Sequence, residues 1–158
     1  RQESIFDAKI VPSIAVTAIG ECFNYLFDQQ NGAPALSRVL KRTYAALPVD
    51  GLLLFDVATP ERASTSGKHF HKGDGWVVLV ETTADKSRAT LTRVITSFVE
   101  QNSVYQRHEE THRLRLIDPD DLGEELKALG FEVSVSTAYG AAKLPAGCMS
   151  FMARKTCG

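Results

Sequence analysis

The sequence predicts an α/β fold into which an antiparallel β meander is inserted. Two short apolar segments, residues 14–19 and 52–57, flank a stretch with helical periodicity. A strand–helix–strand unit of this kind belongs in a parallel sheet that is covered on both faces. Further along the chain, strand-like segments follow one another with only short polar turns between them, which indicates antiparallel pairing.

The first strand, residues 14–19, is rich in β-branched side chains and ends at Gly20. We expect it to be buried, with its carboxyl end opening at that glycine. A helix is expected from about Pro34, because apolar residues recur behind it at helical spacing and proline suits a first helical turn. A turn leads to the second apolar strand, residues 52–57, and the crossover between the two strands is expected to be right-handed.

The middle of the chain predicts the inserted meander. Residues 61–75 are rich in Ser, Thr, Gly, Lys and His and are expected to form a loop. Three strands are expected after it, at residues 76–83, 90–99 and 104–117. We interpret residues 76–117 as a lid inserted into one domain that spans residues 1–158.

The last part of the chain returns to the α/β pattern. Asp118 is placed to cap a helix that has Pro119 in its first turn, and Gly130 is placed to end that helix in the left-handed conformation. Two further strands are expected, at residues 131–137 and 148–155, with a loop that contains glycine and proline between them.

Composition excludes several classes of function. Eighteen basic and nineteen acidic residues give a net charge of -1, which offers no electrostatic reason to bind nucleic acid or an anionic membrane. No apolar run approaches the roughly 20 residues that span a bilayer. The three cysteines are far apart and include no Cys-x-x-Cys pair, so we expect free thiols and a cytoplasmic protein.

The densest group of chemically active side chains lies in the third strand of the meander. Alternation along a strand places His108, Glu110 and His112 on one face. Two imidazoles and a carboxylate are a common set of metal ligands. Same-face neighbours on a strand lie nearly 7 Å apart, however, and seldom converge on one ion. We therefore expect no metal site here. Two roles for these three side chains stay open at this point: a polar face exposed to solvent, or contact with a bound molecule.

Three segments resemble the class I S-adenosylmethionine-dependent methyltransferases, in particular small-molecule enzymes of the glycine and amino-sugar N-methyltransferase kind. The sequence AIGECFNYL at residues 18–26 is similar to the segment after the family's fourth strand. LPVDGLLLFD at residues 47–56 is similar to the approach to its fifth strand, and ETHRLRL at 110–116 to the return toward its last helix and strand pair. The match in order and spacing covers nearly the whole chain.

The resemblance implies the C-terminal two-thirds of a Rossmann-like methyltransferase sheet with an inserted meander. The family's glycine-rich cofactor loop and the acid after its second strand have no counterpart here. The chain, which begins with Arg1, is therefore expected to be a fragment of a longer enzyme that methylates an amine or hydroxyl. The alternative is a non-catalytic α/β module that keeps the fold and binds a partner.

The resemblance also implies roles for individual residues. It places Ser4 and Ile5 beside the adenine of the cofactor, S-adenosyl-L-methionine, and it places Ile19, Gly20, Cys22 and Tyr25 near the methionine part. The meander lies over the active site in similar enzymes, so Glu110 and His112 become candidates for the general base. Each of these assignments has an alternative. Ser4–Ile5 could be only a strand end, Gly20 only a turn glycine, and Tyr25 an ordinary core residue. The expected partners are a small-molecule acceptor and a second copy of the chain, paired through the exposed sheet edge.

Overall fold

The computed structural model describes residues 3–26 and 33–157, which form two main sheets, two α-helices and a small hairpin. The elements in chain order are β1 (Ala15–Ala18), α1 (Ala33–Ala46), β2 (Leu52–Ala58), a 3-10 helix (Pro60–Thr65), β3 (Gly67–Gly73), β4 (Trp76–Asp85), β5 (Thr90–Gln101), β6 (Val104–Arg115), α2 (Pro119–Ala128), β7 (Phe131–Ser136), β8 (Ala138–Tyr139), β9 (Ala142–Lys143) and β10 (Cys148–Lys155).

The first sheet has the strand order β1-β2-β10-β7. Strands β1 and β2 are parallel, whereas β10 lies antiparallel to both β2 and β7. The predicted strand–helix–strand unit is therefore confirmed, and the carboxyl ends of β1 and β2 lie at the same edge of the sheet. The loop after β1 contacts β2 at that edge.

The main core joins this sheet to both helices. Phe55 of β2 stacks on Phe151 of β10 with 5.1 Å between ring centroids, and Phe23 contacts the edge of Phe55 at 5.3 Å. The buried members of helix α1 pack on the same cluster: Ala35, Leu36, Val39 and Leu40. The burial of these side chains supplies most of the driving force for folding.

The caps of α2 form as the sequence predicts. The Asp118 carboxylate accepts hydrogen bonds from the backbone N–H groups of Asp120 and Asp121. Gly130 follows the helix with a φ of 98°, a left-handed conformation that favours glycine. A Cβ at Gly130 would also lie 2.6 Å from the Tyr44 hydroxyl, so the position has no room for a side chain.

The second sheet, which we call the meander sheet, contains β3, β4, β5 and β6 in sequential antiparallel order. The expectation of a loop over residues 61–75 is wrong, because that stretch forms the 3-10 helix and β3. Only Gly67 in β3 is even partly buried, so the strand shows no apolar alternation. Its pairing with β4 stabilises it instead.

The expected burial of the first strand is also wrong. Among the residues that the structure describes, β1 has β2 as its only neighbouring strand and lies at an edge of the sheet. Ile14 and Ile19, on either side of it, are 82% and 57% exposed. The apolar composition predicted the strand and its open edge, which was expected to pair with a second copy, but not the exposure of the side chains along it.

Candidate functional site

The loop that follows β1 is held by a buried carboxylate. Asp56, two residues before the end of β2, is 3% exposed. Its oxygens accept the backbone N–H groups of Gly20 at 2.8 Å and Glu21 at 2.9 Å, together with the Tyr139 hydroxyl at 2.9 Å. Gly20 and Glu21 both have a positive φ, 95° and 58°, so the loop turns sharply at the carboxyl end of the strand. Burial and the hydrogen bond to Asp56 raise the pKa of Tyr139, which therefore stays a donor.

The side chain of Glu21 is the centre of a charged cluster. Its two carboxylate oxygens accept hydrogen bonds from Arg93 of β5 at 2.8 and 2.9 Å. Arg62 Nε lies 3.8 Å away, and the Cys148 thiol donates to Glu21 at 3.3 Å. Burial would raise the pKa of Glu21, but its contacts with Arg93, Cys148 and Arg62 outweigh burial and lower it. Burial and the Glu21 charge raise the pKa of Cys148 to about 12, so that thiol stays protonated.

The same loop is anchored at its other end by Asn24. This side chain is fully buried, and its Oδ1 accepts the Ala58 N–H at 3.0 Å. Its Nδ2 donates to the carbonyls of Ala58 and Arg115 at 2.9 and 2.6 Å. Between the two anchors, Phe23 inserts into the main core. The loop is therefore fixed to β2, to the end of β6 and to the core.

A pocket of about 400 Å³ opens beside this loop. Its lining comprises Glu3, Ser4, Ile5, Phe6, Cys22, Tyr25 and His112. The structure thus brings together four of the six cofactor candidates and one of the two candidates for the general base. Ser4 lies just before a turn rather than in a strand, and its carbonyl accepts the N–H groups of Asp7 and Ala8.

The remaining two cofactor candidates lie on the loop next to the pocket. Cys22 donates its thiol hydrogen to the carbonyl of Ile19 at 3.2 Å, which places the Ile19 backbone close to the lining. A Cβ added at Gly20 would meet no atom within 4 Å, so the space beside this glycine is open. Burial, followed by the charge of Asp56, raises the pKa of Cys22, and the thiol therefore remains neutral.

The two candidates for the general base form a hydrogen-bonded pair on β6. His112 Nε2 lies 3.0 Å from Glu110 Oε2, and the imidazole packs against the Tyr25 ring edge-on at 5.5 Å. Glu110 does not line the pocket and is mostly exposed. It reaches the pocket only through His112. Burial, with the charge of Glu21, raises the pKa of Tyr25, so its hydroxyl is also protonated at neutral pH.

The polar anchors of the site, Glu21, Asp56, Arg93 and Asn24, were not predicted from the sequence. Three of them stand in the segments that carry the family resemblance, yet their partners are 34 to 91 residues away. An acid directly after a turn glycine, and an acid at the end of a buried strand, are the signals that could have indicated Glu21 and Asp56.

The described residues contain no group of three His, Cys, Asp or Glu side chains placed to hold a metal ion. The alternation predicted for β6 is present. His112 and Glu110 pair with Arg93 and Ile95 of β5, which are two residues apart, so both side chains lie on the same face of the sheet. Neither helix in the described ranges is long and apolar enough to cross a membrane.

Comparison with known proteins finds structural likeness without detectable sequence similarity. No family model matches the sequence, and no curated protein matches it. A solved S-adenosylmethionine-dependent methyltransferase from Clostridium acetobutylicum superimposes with a TM-score of 0.78 at 17% identity, over 98% of this chain and 63% of that one.

Two further solved structures are similar over the same extent. The amino pentose methyltransferase CalS10 from Micromonospora echinaspora gives a TM-score of 0.73 at 15% identity, covering 98% of this chain and 63% of that one. The sugar N-methyltransferase KedS8 from Streptoalloteichus gives 0.70 at 17% identity, covering 98% and 61%. The chain therefore spans less than two thirds of the length of these proteins. At such identities the likeness establishes the fold: this chain has the α/β sheet and inserted antiparallel meander of S-adenosylmethionine-dependent methyltransferases.

Proposed function

We propose that this chain belongs to a methyltransferase that uses S-adenosyl-L-methionine and modifies an amine or hydroxyl of a small molecule. One observation carries the proposal. In a fold shared with such enzymes, residues implicated in cofactor binding and a candidate base line one pocket at the carboxyl end of parallel strands. Ligands of open α/β sheets bind in that crevice.

The residues around the pocket suit this cofactor. A volume of about 400 Å³ falls within the range of roughly 300–1,000 Å³ that is usual for small-molecule sites. The open space beside Gly20 allows a ligand to approach the backbone. The carboxylates of Glu3 and Glu110, in and beside the pocket, favour a positively charged group. The structure of CalS10 was solved with this cofactor bound.

When bound, the cofactor would supply an activated methyl group, so the protein's main task is alignment of the acceptor. Ser4, Ile5, Cys22 and Tyr25 would hold the donor on one side of the pocket, next to the loop that Asp56 fixes. The meander sheet contributes His112, whose imidazole packs against the Tyr25 ring. An acceptor bound beside His112 would then meet the donor in a site that is built from two separate elements, the loop after β1 and the meander sheet.

Glu110 and His112 would remove the proton that an amine or hydroxyl acceptor has to lose. The Glu110 carboxylate can only accept a hydrogen bond, so it selects the imidazole tautomer that carries its hydrogen on Nε2. Nδ1 of His112 is then the basic nitrogen. The edge contact with Tyr25 restricts the rotation of the ring. Glu110 also attracts a cationic amine toward His112.

We further propose that the complete gene product contains a second part that finishes the cofactor site. Two observations support this. The chain matches just over three fifths of the length of these structural neighbours. Within the described residues, β1 pairs with β2 alone and is flanked by the exposed Ile14 and Ile19. Free thiols at Cys22, Cys148 and Cys157 fit a reducing, cytoplasmic location.

Calorimetry distinguishes the two parts of the proposal. The 158-residue chain is expected to bind S-adenosylmethionine or its demethylated product very weakly, whereas the complete gene product is expected to bind it well. Tight binding by this chain alone would contradict the need for a second part. Absence of binding by both proteins would instead favour the non-catalytic α/β module.

Substitutions on β6 test the role of the pair in the complete gene product. His112→Ala and Glu110→Gln should lower methyl transfer to a responsive amine or hydroxyl by about 10²–10⁴-fold, the usual effect of removing a general base. Cofactor affinity should remain nearly unchanged. Glu109→Gln is the matched control, because this exposed carboxylate is adjacent in sequence but lies on the opposite face of β6. Tyr25→Phe should affect both cofactor binding and turnover.

The demethylated product can be followed during a first screen of amine and hydroxyl metabolites, which supplies the acceptor for these assays. Turnover within about twofold of wild type in both variants, on a good acceptor, would refute the catalytic role of the pair, since removing a general base costs far more. The meander sheet would then act only as a cover.

A further inference from the structure

One ion pair joins the loop after β1 directly to the meander sheet. Glu21 belongs to the loop and Arg93 to β5, and their two hydrogen bonds of 2.8 and 2.9 Å form a bidentate contact. The two side chains are only 12% and 13% exposed. A planar guanidinium that is held at two points fixes orientation as well as distance.

The position of Arg93 in the sheet connects this contact to the pocket. Arg93 pairs with His112 across β5 and β6, so the two residues lie side by side on the same face. Backbone hydrogen bonds already join the loop to β6 just after His112, from the Leu26 N–H to the Arg113 carbonyl and from the Arg115 N–H to the Asn24 carbonyl. The contact of Arg93 with Glu21 adds a second link, on β5, which restricts how the sheet around His112 rotates relative to the loop.

The loop itself does not depend on Arg93 for its shape. Asp56 holds the backbone N–H groups of Gly20 and Glu21, and Phe23 anchors the loop in the core. The side chain of Glu21 is therefore available to bind the neighbouring sheet. Arg62 also approaches Glu21, but at 3.8 Å it makes no hydrogen bond with it.

We propose that Glu21 and Arg93 form a latch that positions His112 over the pocket, so that Arg93 is a positioning residue for methyl transfer. This inference rests on the proposed function. The latch aligns the acceptor side of the site with the donor side, and neither of its members lines the pocket. A misplacement of about 1 Å can lower a rate by 10²-fold, so a small rotation of the meander sheet is enough to matter.

The test uses the complete gene product with Arg93→Lys, which keeps the charge but loses the second hydrogen bond. Glu21→Gln is the second variant, since it keeps the shape of the side chain but removes the charge that Arg93 contacts. Arg113→Lys is the matched control, because Arg113 is an exposed arginine of β6 that adjoins His112 and faces the other way. Each protein is assayed for cofactor Kd, acceptor KM, kcat and Tm.

We expect Arg93→Lys and Glu21→Gln to lower kcat/KM for the acceptor by about 10²-fold while the cofactor Kd stays within threefold, as in the control. The second readout is amide hydrogen exchange at Leu26 and Arg115, whose N–H groups bond across the junction to Arg113 and Asn24. Exchange there should be at least about tenfold faster in both variants.

Two results would overturn the latch. Acceptor kinetics and exchange equal to those of the control would show that the ion pair positions nothing. A parallel loss of cofactor affinity, turnover and Tm would show that the pair only stabilises the fold. Failure of the proposed function looks different, because the wild-type gene product would then neither bind the cofactor nor transfer a methyl group, while the exchange readout would still test the latch.

Discussion

Asn24→Ala is expected to destabilise this protein more than its small loss of volume suggests. The Asn24 side chain is fully buried and satisfies three backbone groups. Two of the groups belong to Ala58 and the third is the carbonyl of Arg115. The substitution therefore disconnects the end of β2 and the end of β6 from the loop between them.

The size of the effect follows from which groups lose their partner. The Ala58 carbonyl still accepts the N–H of Ile117 at 3.0 Å and is not left unsatisfied. The Ala58 N–H and the Arg115 carbonyl lose the Asn24 amide. An unsatisfied buried N–H at Ala58 costs about 1–3 kcal/mol, and the lost hydrogen bond to the Arg115 carbonyl costs about 0.5–1.5 kcal/mol, so the expected loss is about 1.5–4.5 kcal/mol. This is a large part of the roughly 5–15 kcal/mol that keeps a typical domain folded.

Urea denaturation followed by circular dichroism measures the loss. With an m-value of about 2 kcal/mol per M, a loss of 3 kcal/mol lowers the midpoint by about 1.5 M. Gln106→Ala is the control, because this exposed amide should change stability by less than about 0.5 kcal/mol. A loss below about 1 kcal/mol for Asn24→Ala would refute the reasoning, since it would mean that the two backbone groups find other partners.

The remaining predictions concern pH and self-association. Because contacts with Arg93 hold the folded pKa of Glu21 below its ordinary value of 4.5, the Glu21 contribution to stability is complete above that pH and is lost as the pH falls below it. Glu21→Gln should therefore flatten the acid limb of a stability–pH profile, and an unchanged slope would contradict the assignment. The exposed edge of β1 should pair with a second copy of the 158-residue chain. Light scattering should then show dimers that Ile14→Lys with Ile19→Lys returns to monomers; a wild-type monomer at high concentration would contradict this.

The elements that the sequence predicted well are those whose pattern is local. Strand β2 is apolar except for Asp56, and the caps of α2 lie within a few residues of the helix ends. Strand β3 was missed because its side chains are almost all exposed, so neither alternation nor apolarity marks it. A strand at the edge of a sheet is specified mainly by its partner, here β4.

In the candidate site, too, residues with a local signal were predicted and residues that depend on a distant partner were not. Gly20, Cys22 and Tyr25 were proposed from one contiguous segment, and that segment does lie at the carboxyl end of β1 beside the pocket. Whether Glu21 is buried, by contrast, depends on Arg93, 72 residues away. A charged residue read without its partner predicts a solvated surface position, so the sequence alone gives no reason to place Glu21 inside.

The buried polar contacts explain how a loop without regular structure can form one wall of a site. An ordered loop loses conformational entropy that its few apolar contacts must offset, and here Phe23 is the main apolar anchor. Asp56 and Asn24 satisfy backbone groups on either side of it, so that another loop conformation would leave these buried groups without partners. A small side chain could replace Cys22 at low cost, whereas Asp56 and Asn24 have no substitute of the same shape and hydrogen-bonding capacity. Substitutions should therefore lower the free energy of unfolding least at the residues that face the pocket and most at the polar residues behind them.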